Sequence, residues 1–338
     1  MKINLAVIGQ GAVTPAGIGF PFLSKQTPVE TLISPVGNSD KTQPVFRVNL
    51  QDTAFSRWQR EPRLRRASPI SFFLVEAAEQ ALHGVGAKER RRTGLIIAFC
   101  AGCLTYSRRF FEAIVKQGQK TASPALFPET VFNSPLSHVT ATLGLEGSAY
   151  ALVGDEVAWI AALKTAFVWL QQNRLDQVLV LGAEEFDPVV LDAYLSAGWI
   201  KRTGTHFIPG EGAAGLLVKR AEIKDSLVIS SAWDGFIYRS SKDAAQAANR
   251  CLDNVDPGLP YYPTAQHNWF ASIERRSNKN RRALLNDSRP YLGEAFTASA
   301  SWNTLRALAE LQRDRQRLVL PIWGLNHQVG ALELQSRY

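Results

Sequence analysis

Cysteine is scarce in this chain, with Cys100, Cys103 and Cys251 the only three in 338 residues. An odd, small number rules out a disulfide scaffold and fits a reducing compartment, so a cytoplasmic protein is expected. Long apolar runs are missing as well. None reaches the roughly 18 residues that a membrane span needs. The apolar stretch after Lys2 is broken early by Gly9, Gln10 and Gly11, which reads as a first strand rather than a signal peptide. No tandem repeat or low-complexity tract appears. Acidic residues are outnumbered, 30 against 38 basic ones, for a net charge of +8. The excess suits an acidic partner: nucleic acid, an anionic membrane or an acidic carrier protein. The basic residues cluster at Arg60–Arg66, Lys88–Arg92 and Arg275–Arg282, and most of these read as solvated helix faces and loops.

Several familiar motifs are incomplete. Gly9–Gly17 is a glycine-rich turn after a strand at Ile3–Ile8. A dinucleotide loop would need a third glycine where Thr14 and Pro15 stand, so no phosphate cradle is expected. Cys100 and Cys103 have C-x-x-C spacing, but no second pair and no nearby histidine accompanies them. They follow the buried-type run Leu95–Phe99 and read as small buried thiols rather than a redox or metal pair. Glu211 lies among glycines, and one carboxylate cannot hold a cation. No cofactor and no metal are expected. His138, among apolar neighbours, reads as a hydrogen-bonded structural residue.

The stretch that organises the chain runs from Gly147 to Glu185. Ala149–Val153 is a short strand, and Gly154-Asp155-Glu156 is a sharp acidic turn. Trp159, Ala162, Leu163, Ala166, Phe167 and Leu170 then recur at helical spacing, and Val178–Leu181 is a buried strand closed by Gly182. A residue at such a turn sits on a helix N-terminus, where N–H groups and the dipole favour negative charge. Further strands are expected at Thr93–Phe99, Ser226–Ser231, Leu318–Pro321 and Leu332–Leu334. Helices are expected at Ala67–Leu82, Tyr106–Gln117, Phe186–Gly198, Ala244–Leu252 and Trp302–Leu311, with an irregular excursion from 24 to 60.

This arrangement resembles the nucleophile elbow of the β-ketoacyl synthases, in the thiolase superfamily. The opening GQGAVTPAG, Asn133, Leu143-Gly144-Leu145, Gly147, Leu181-Gly182-Ala183-Glu184 and Gly210-Glu211-Gly212-Ala213 all stand where that family has its motifs. The resemblance implies an α/β thiolase-like fold of two related halves, with mixed sheets and helices layered α-β-α-β-α. The halves would be 1–222 and a shortened 223–338. It also implies a dimer formed through the strand before the elbow, Tyr150, Ala151, Leu152 and Val153.

The same alignment removes the family's chemistry. Its nucleophilic cysteine falls on Glu156, with Asp155 beside it. Its two histidines, which stabilise enolate-like charge, fall on Gln266 and Glu294; His267 is one step from the first, and Arg289 stands for the lysine of the second motif. In the closing glycine loop only Gly324 remains, so that loop should be stiffer. The resemblance therefore implies a ketosynthase-like subunit without condensing activity, a chain-length-factor-like protein. It would pair with an active β-ketoacyl synthase or with itself, shape an acyl tunnel and receive an acidic acyl carrier protein, without nucleic acid or membrane. Two alternatives stay open: an enzyme acting on acyl or malonyl thioesters through Glu156 and Glu294 as acid and base, and a homodimeric scaffold with no acyl ligand.

Overall fold

The computed structural model describes residues 1–25, 31–36, 42–200, 208–253, 255–265, 268–284, 292–314 and 317–337. In chain order its strands are β1 (Lys2–Thr14), β2 (Gly17–Ile18), β3 (Thr31–Ile33), β4 (Gln43–Val45), β5 (Thr93–Phe99) and β6 (Ala149–Val153). They continue with β7 (Gln177–Glu184), β8 (Gly212–Arg220), β9 (Leu227–Ile237), β10 (Arg317–Gly324) and β11 (Gln328–Ser336). The longer helices are α1 (Pro69–Ala81), α2 (Leu104–Gln117), α3 (Ser134–Leu143), α4 (Ala158–Gln171), α5 (Pro188–Ser196), α6 (Ser241–Leu252), α7 (Asn268–Ser277) and α8 (Phe296–Asp314).

One mixed sheet runs β10-β11-β9-β1-β8-β7-β5-β6, with β2 returning on β1. β5 is parallel to β6 and β7, and the other pairings along this path are antiparallel. β5 is buried along its whole length, as a strand covered on both faces must be. Alternation along β7 then assigns the faces. Val178 and Val180 point into a core shared with Leu163 of α4 and Leu305 of α8. Leu179 and Leu181 point the other way, toward Phe73 and Leu74 of α1. α4 and α8 also touch β9 and β11, while α6 packs on the outer side of β9 and β11 and α7 packs on α6. The sheet thus wraps around the α4–α8 pair, giving the expected α-β-α-β-α layering. The expected boundary at 222/223 falls in the connection between β8 and β9.

Several expectations are corrected. The glycine-rich run is not a turn until its end. β1 continues through Gly9 and Gly11 to Thr14, with a register shift between Val7 and Gly9. A Cβ at Gly9 would run into the carbonyl oxygen of Ala81, and one at Gly11 into that of Ala77. These glycines let α1 lie directly on the strand. β7 likewise runs past Gly182 to Glu184. α5 starts at Pro188 rather than Phe186, because Asp187 caps it by accepting from the Val189 N–H at 3.1 Å. α8 starts at Phe296, six residues before Trp302. The 24–60 excursion holds the β3–β4 ribbon among its described residues.

Candidate functional site at the β6–α4 turn

β6 feeds the acidic turn, whose backbone is tied to the end of β5 by Gly154 N–H donating to the Phe99 carbonyl at 3.1 Å. Asp155 Oδ1 accepts from the Val157 N–H at 3.0 Å, a side-chain turn that opens α4. Glu156 stands at the helix tip, 4% exposed, and its Oε2 accepts from the Leu325 N–H at 3.0 Å. Leu325 belongs to the tight connection between β10 and β11. Tyr238 grips the same connection, its hydroxyl donating to the Gly324 carbonyl at 3.2 Å. Gly324 is required here, since a Cβ would collide with the Asp155 carboxylate. The two acids of the turn are therefore fasteners for the 324–327 segment.

Burial, then the neighbouring charges of Asp155 and Glu294, push Glu156 well above the ordinary carboxyl range. Burial raises Asp155 too, against the pull of the Val157 N–H. The environment thus favours protonated carboxyls. Glu156 and Glu294 line one small cavity of about 30 Å³ with Thr264, Ser299, Asn303 and Trp323. That volume accommodates a water or two and no acyl chain. Asn303 Oδ1 has no hydrogen-bond partner among the described residues, which marks where such a water would bind. Glu294 is held by its backbone, bonded both ways to the 208–210 segment at 2.8 Å.

The space around the turn is filled by rings. Tyr194, Trp199 and Phe296 have centroids 5.3–6.3 Å apart, and Tyr238 and Phe270 flank Trp323 at 6.4 and 5.9 Å. Of the thiols, Cys100 lies at the edge of this cluster, within the fields of Glu184 and Glu156. Burial first, and then those carboxylates, raise it far above an ordinary thiol. Burial also dominates for Cys103, which is raised likewise, and for Cys251, which is pushed up to about 12. At all three positions burial disfavours the thiolate form. His138 Nε2 pairs with Glu129 at 2.9 Å, and His327 is exposed beside the Tyr238 ring. Among the described residues no imidazole lines the Glu156 cavity, and no group of three or more His, Cys, Asp or Glu could hold a metal ion.

Of the residues singled out from the sequence, Asp155, Glu156 and Glu294 converge on this cavity and the connection above it. Gln266, His267 and Arg289 lie outside the described residues. β6 is the last strand of the sheet, with Tyr150 and Val153 53% and 54% exposed and Ala151 and Leu152 half-buried. Sequence reading set Glu184 at the end of a motif and gave neither it nor Glu185 a role at the site. Glu184 accepts from the Cys100 and Ala101 N–H groups, each at 2.8 Å. Glu185 accepts from Ser68 Oγ and from the N–H groups of Ile70 and Thr105 at 2.6–3.0 Å. Burial raises Glu184 to about 8 and Glu185 to about 7. Two acids directly after an apolar strand were the available signal, since at most one of them can follow the strand's alternation outward. Among the described residues no helix is long and apolar enough to cross a membrane.

Residues 33–223 match the profile of the family described as β-ketoacyl synthase, N-terminal domain. No curated protein sequence matches the chain. Among solved structures, the ishigamide ketosynthase/chain length factor is similar at 19% identity and a TM-score of 0.81, covering 98% of this chain and 99% of that one. A β-ketoacyl synthase from Burkholderia phymatum is similar at 14% identity and a TM-score of 0.78, over 99% and 100% of the two chains. A type II polyketide synthase acyl-carrier protein in complex with its hexaketide-bound ketosynthase gives 16% identity and a TM-score of 0.77, again over 99% and 100%. At these identities the likeness is one of fold.

Proposed function

We propose, since the chain belongs to the β-ketoacyl synthase family, that it is a ketosynthase-like subunit without condensing activity of its own. It pairs with an active β-ketoacyl synthase of a fatty-acid, polyketide or aryl-polyene type pathway and shapes the tunnel for the growing chain. One observation carries this reading: the helix tip holds Glu156, fastened to the Leu325 N–H and facing a 30 Å³ cavity. A buried, protonation-prone carboxyl bonded to the backbone is a poor acyl carrier. Glu294 puts a second carboxyl where an enolate-like charge needs positive help. The open edge of β6, with Tyr150 and Val153 exposed, is the surface for pairing. The excess positive charge suits an acidic acyl carrier protein docking on the pair.

Coexpression with the ketosynthase and carrier protein of its own gene neighbourhood tests the reading. A stable one-to-one complex is expected, with condensation that requires the partner's cysteine and is unaffected by Glu156→Gln. A chain that never associates with a ketosynthase, or that condenses alone, sinks the idea. A second reading rests on the raised Glu156 beside Glu294, an acid/base pair acting on acyl or malonyl thioesters. It requires turnover of malonyl-carrier protein by the isolated chain, and loss of that turnover in Glu156→Gln.

A further inference from the structure

β7 ends in two adjacent carboxyls, and nothing in the function proposed above uses them. Glu184 and Glu185 are 3% and 1% exposed. The acids nearest them hold cations: Asp187 pairs with Arg108 at 2.7 Å and Glu211 with Arg47 at 2.6 Å. Glu184 and Glu185 make no ion pair among the described residues. Their oxygens take backbone donors instead. Glu184 holds the Cys100 and Ala101 N–H groups. Glu185 takes the Ile70 N–H of α1 at 3.0 Å and the Thr105 N–H of α2 at 2.7 Å. One carboxyl thus caps two helices, and the positive ends of both dipoles meet at it.

The two helices depend on that cap unequally. Neither Ser68 nor Cys103, the residues at their N-cap positions, bonds the helix start with its own side chain. α1 buries nine of its thirteen residues, so packing holds it on the sheet. α2 buries Phe110 alone of its fourteen. Cys100, Ala101 and residues 104–108 are half-buried. A segment with so little apolar burial opens locally at low cost unless polar bonds hold it. Those bonds come from Glu184 and Glu185, and further along from Arg108 to Asp187.

We propose that Glu184 and Glu185 form a proton-controlled latch on the 100–107 segment, closed while the pair is protonated and released as it ionises. Glu184 faces Glu185, the Cys100 thiol and the Tyr194 hydroxyl, with Glu156 and Asp155 beyond Cys100. Glu185 faces Glu184, Glu211 and the Cys103 thiol, with Glu129 beyond it. None of these groups offsets a negative charge, and Arg47 and Arg108 are committed to Glu211 and Asp187. The N–H donors favour the anion, but burial outweighs them and raises Glu184 to about 8 and Glu185 to about 7. Once the segment opens, water solvates both carboxyls and they return toward their ordinary 4.5. The closed form therefore binds more protons, and rising pH favours opening from about 4.5 up to about 8. The Arg108–Asp187 pair and buried Phe110 keep the rest of α2 in place.

The test is hydrogen exchange of the full chain read by mass spectrometry, as protection factors corrected for the intrinsic effect of pH on exchange. Protection across 100–107 is expected to fall about tenfold or more between about pH 6 and pH 8, and to stay about tenfold or more below that of 72–81 in α1. Glu184→Gln and Glu185→Gln cannot ionise, and each should flatten the fall. Asp187→Asn, which releases Arg108, should loosen the segment by the same factor at both pH values, as a purely structural clamp would. A wild-type segment whose protection is flat across this range, or equal to that of α1 throughout, overturns the latch. So does an unchanged slope in both Gln variants. If the Gln variants fail to fold, the wild-type pH series decides alone.

Discussion

Glu156 fastens the acidic turn to the connection between β10 and β11. Its Oε2 bonds the Leu325 N–H beside a small buried cavity, and burial with two neighbouring acids favours its neutral form. Glu156→Gln keeps the acceptor and removes the titration, so stability at neutral pH should change by about 1 kcal/mol or less. Glu156→Ala strands the Leu325 N–H and should cost about 1–3 kcal/mol, read from urea midpoints. The pH dependence separates the two cases. A carboxyl whose folded-state value lies above its unfolded one binds more protons when folded, so stability falls as pH rises through the gap. That fall starts near 4.5, and runs to about 7 for Glu185 and about 8 for Glu184. Glu156 adds to the same slope. Glu156→Gln should therefore match wild type near the acid end of this window and exceed it at the alkaline end; parallel curves would mean Glu156 is ionised throughout. The position of Glu156 was legible from motif spacing alone. The family pattern also sets the Gly324 loop beside it; the bond from the Leu325 N–H was not legible, because it depends on how that connection folds.

β5 and β6 were readable to the residue at the scale of single elements, since short apolar runs bounded by turns declare themselves. α8 was read too short for a physical reason. Its first turns hold Thr297, Ser299 and Ser301, all buried yet polar. Thr297 Oγ1 donates to the Ala98 and Ala183 carbonyls and Ser301 Oγ to Ala298, so the helix buries hydroxyls that give no apolar periodicity. β6 makes a sharper prediction. The Leu95 N–H donates to the Ser148 carbonyl and the Gly154 N–H to the Phe99 carbonyl. In a parallel ladder that phase gives the even-numbered residues to β5 and leaves the N–H and C=O groups of Ala149, Ala151 and Val153 on the open edge. Ala151→Pro removes an outward donor without breaking the β5 ladder. If pairing runs through this edge, Ala151→Pro and Val153→Lys should each shift the chain to monomer in sedimentation velocity while leaving its circular dichroism intact. An unchanged oligomer in both variants would move the interface elsewhere.

Over the whole molecule, the five-layer order depends on how closely α8 can approach the sheet. The inner pair α4–α8 is enclosed by sheet on both sides, and the contact with β7 is made at Gly182. A Cβ there would press on the Thr297 carbonyl oxygen and the Ser301 hydroxyl, both backbone-anchored in α8. Sequence reading took Gly182 as the end of a strand, because glycine is a local punctuation mark and its actual cause sits more than a hundred residues away. The seam is also where α8 begins, two residues after Glu294, at Phe296, which adopts a left-handed backbone conformation with φ of 41°. Displacing α8 outward therefore moves the cavity wall as well as the core. Gly182→Ala should cost about 1–3 kcal/mol by overpacking, visible as a lower urea midpoint with an unchanged slope. Paired with Glu156→Ala it should cost less than the sum of the two, since both loosen the packing around one cavity. Strict additivity would mean that the α8 seam and the acidic turn are independent, and that the cavity owes its size to the aromatic filling of Tyr194, Phe296 and Trp323 alone.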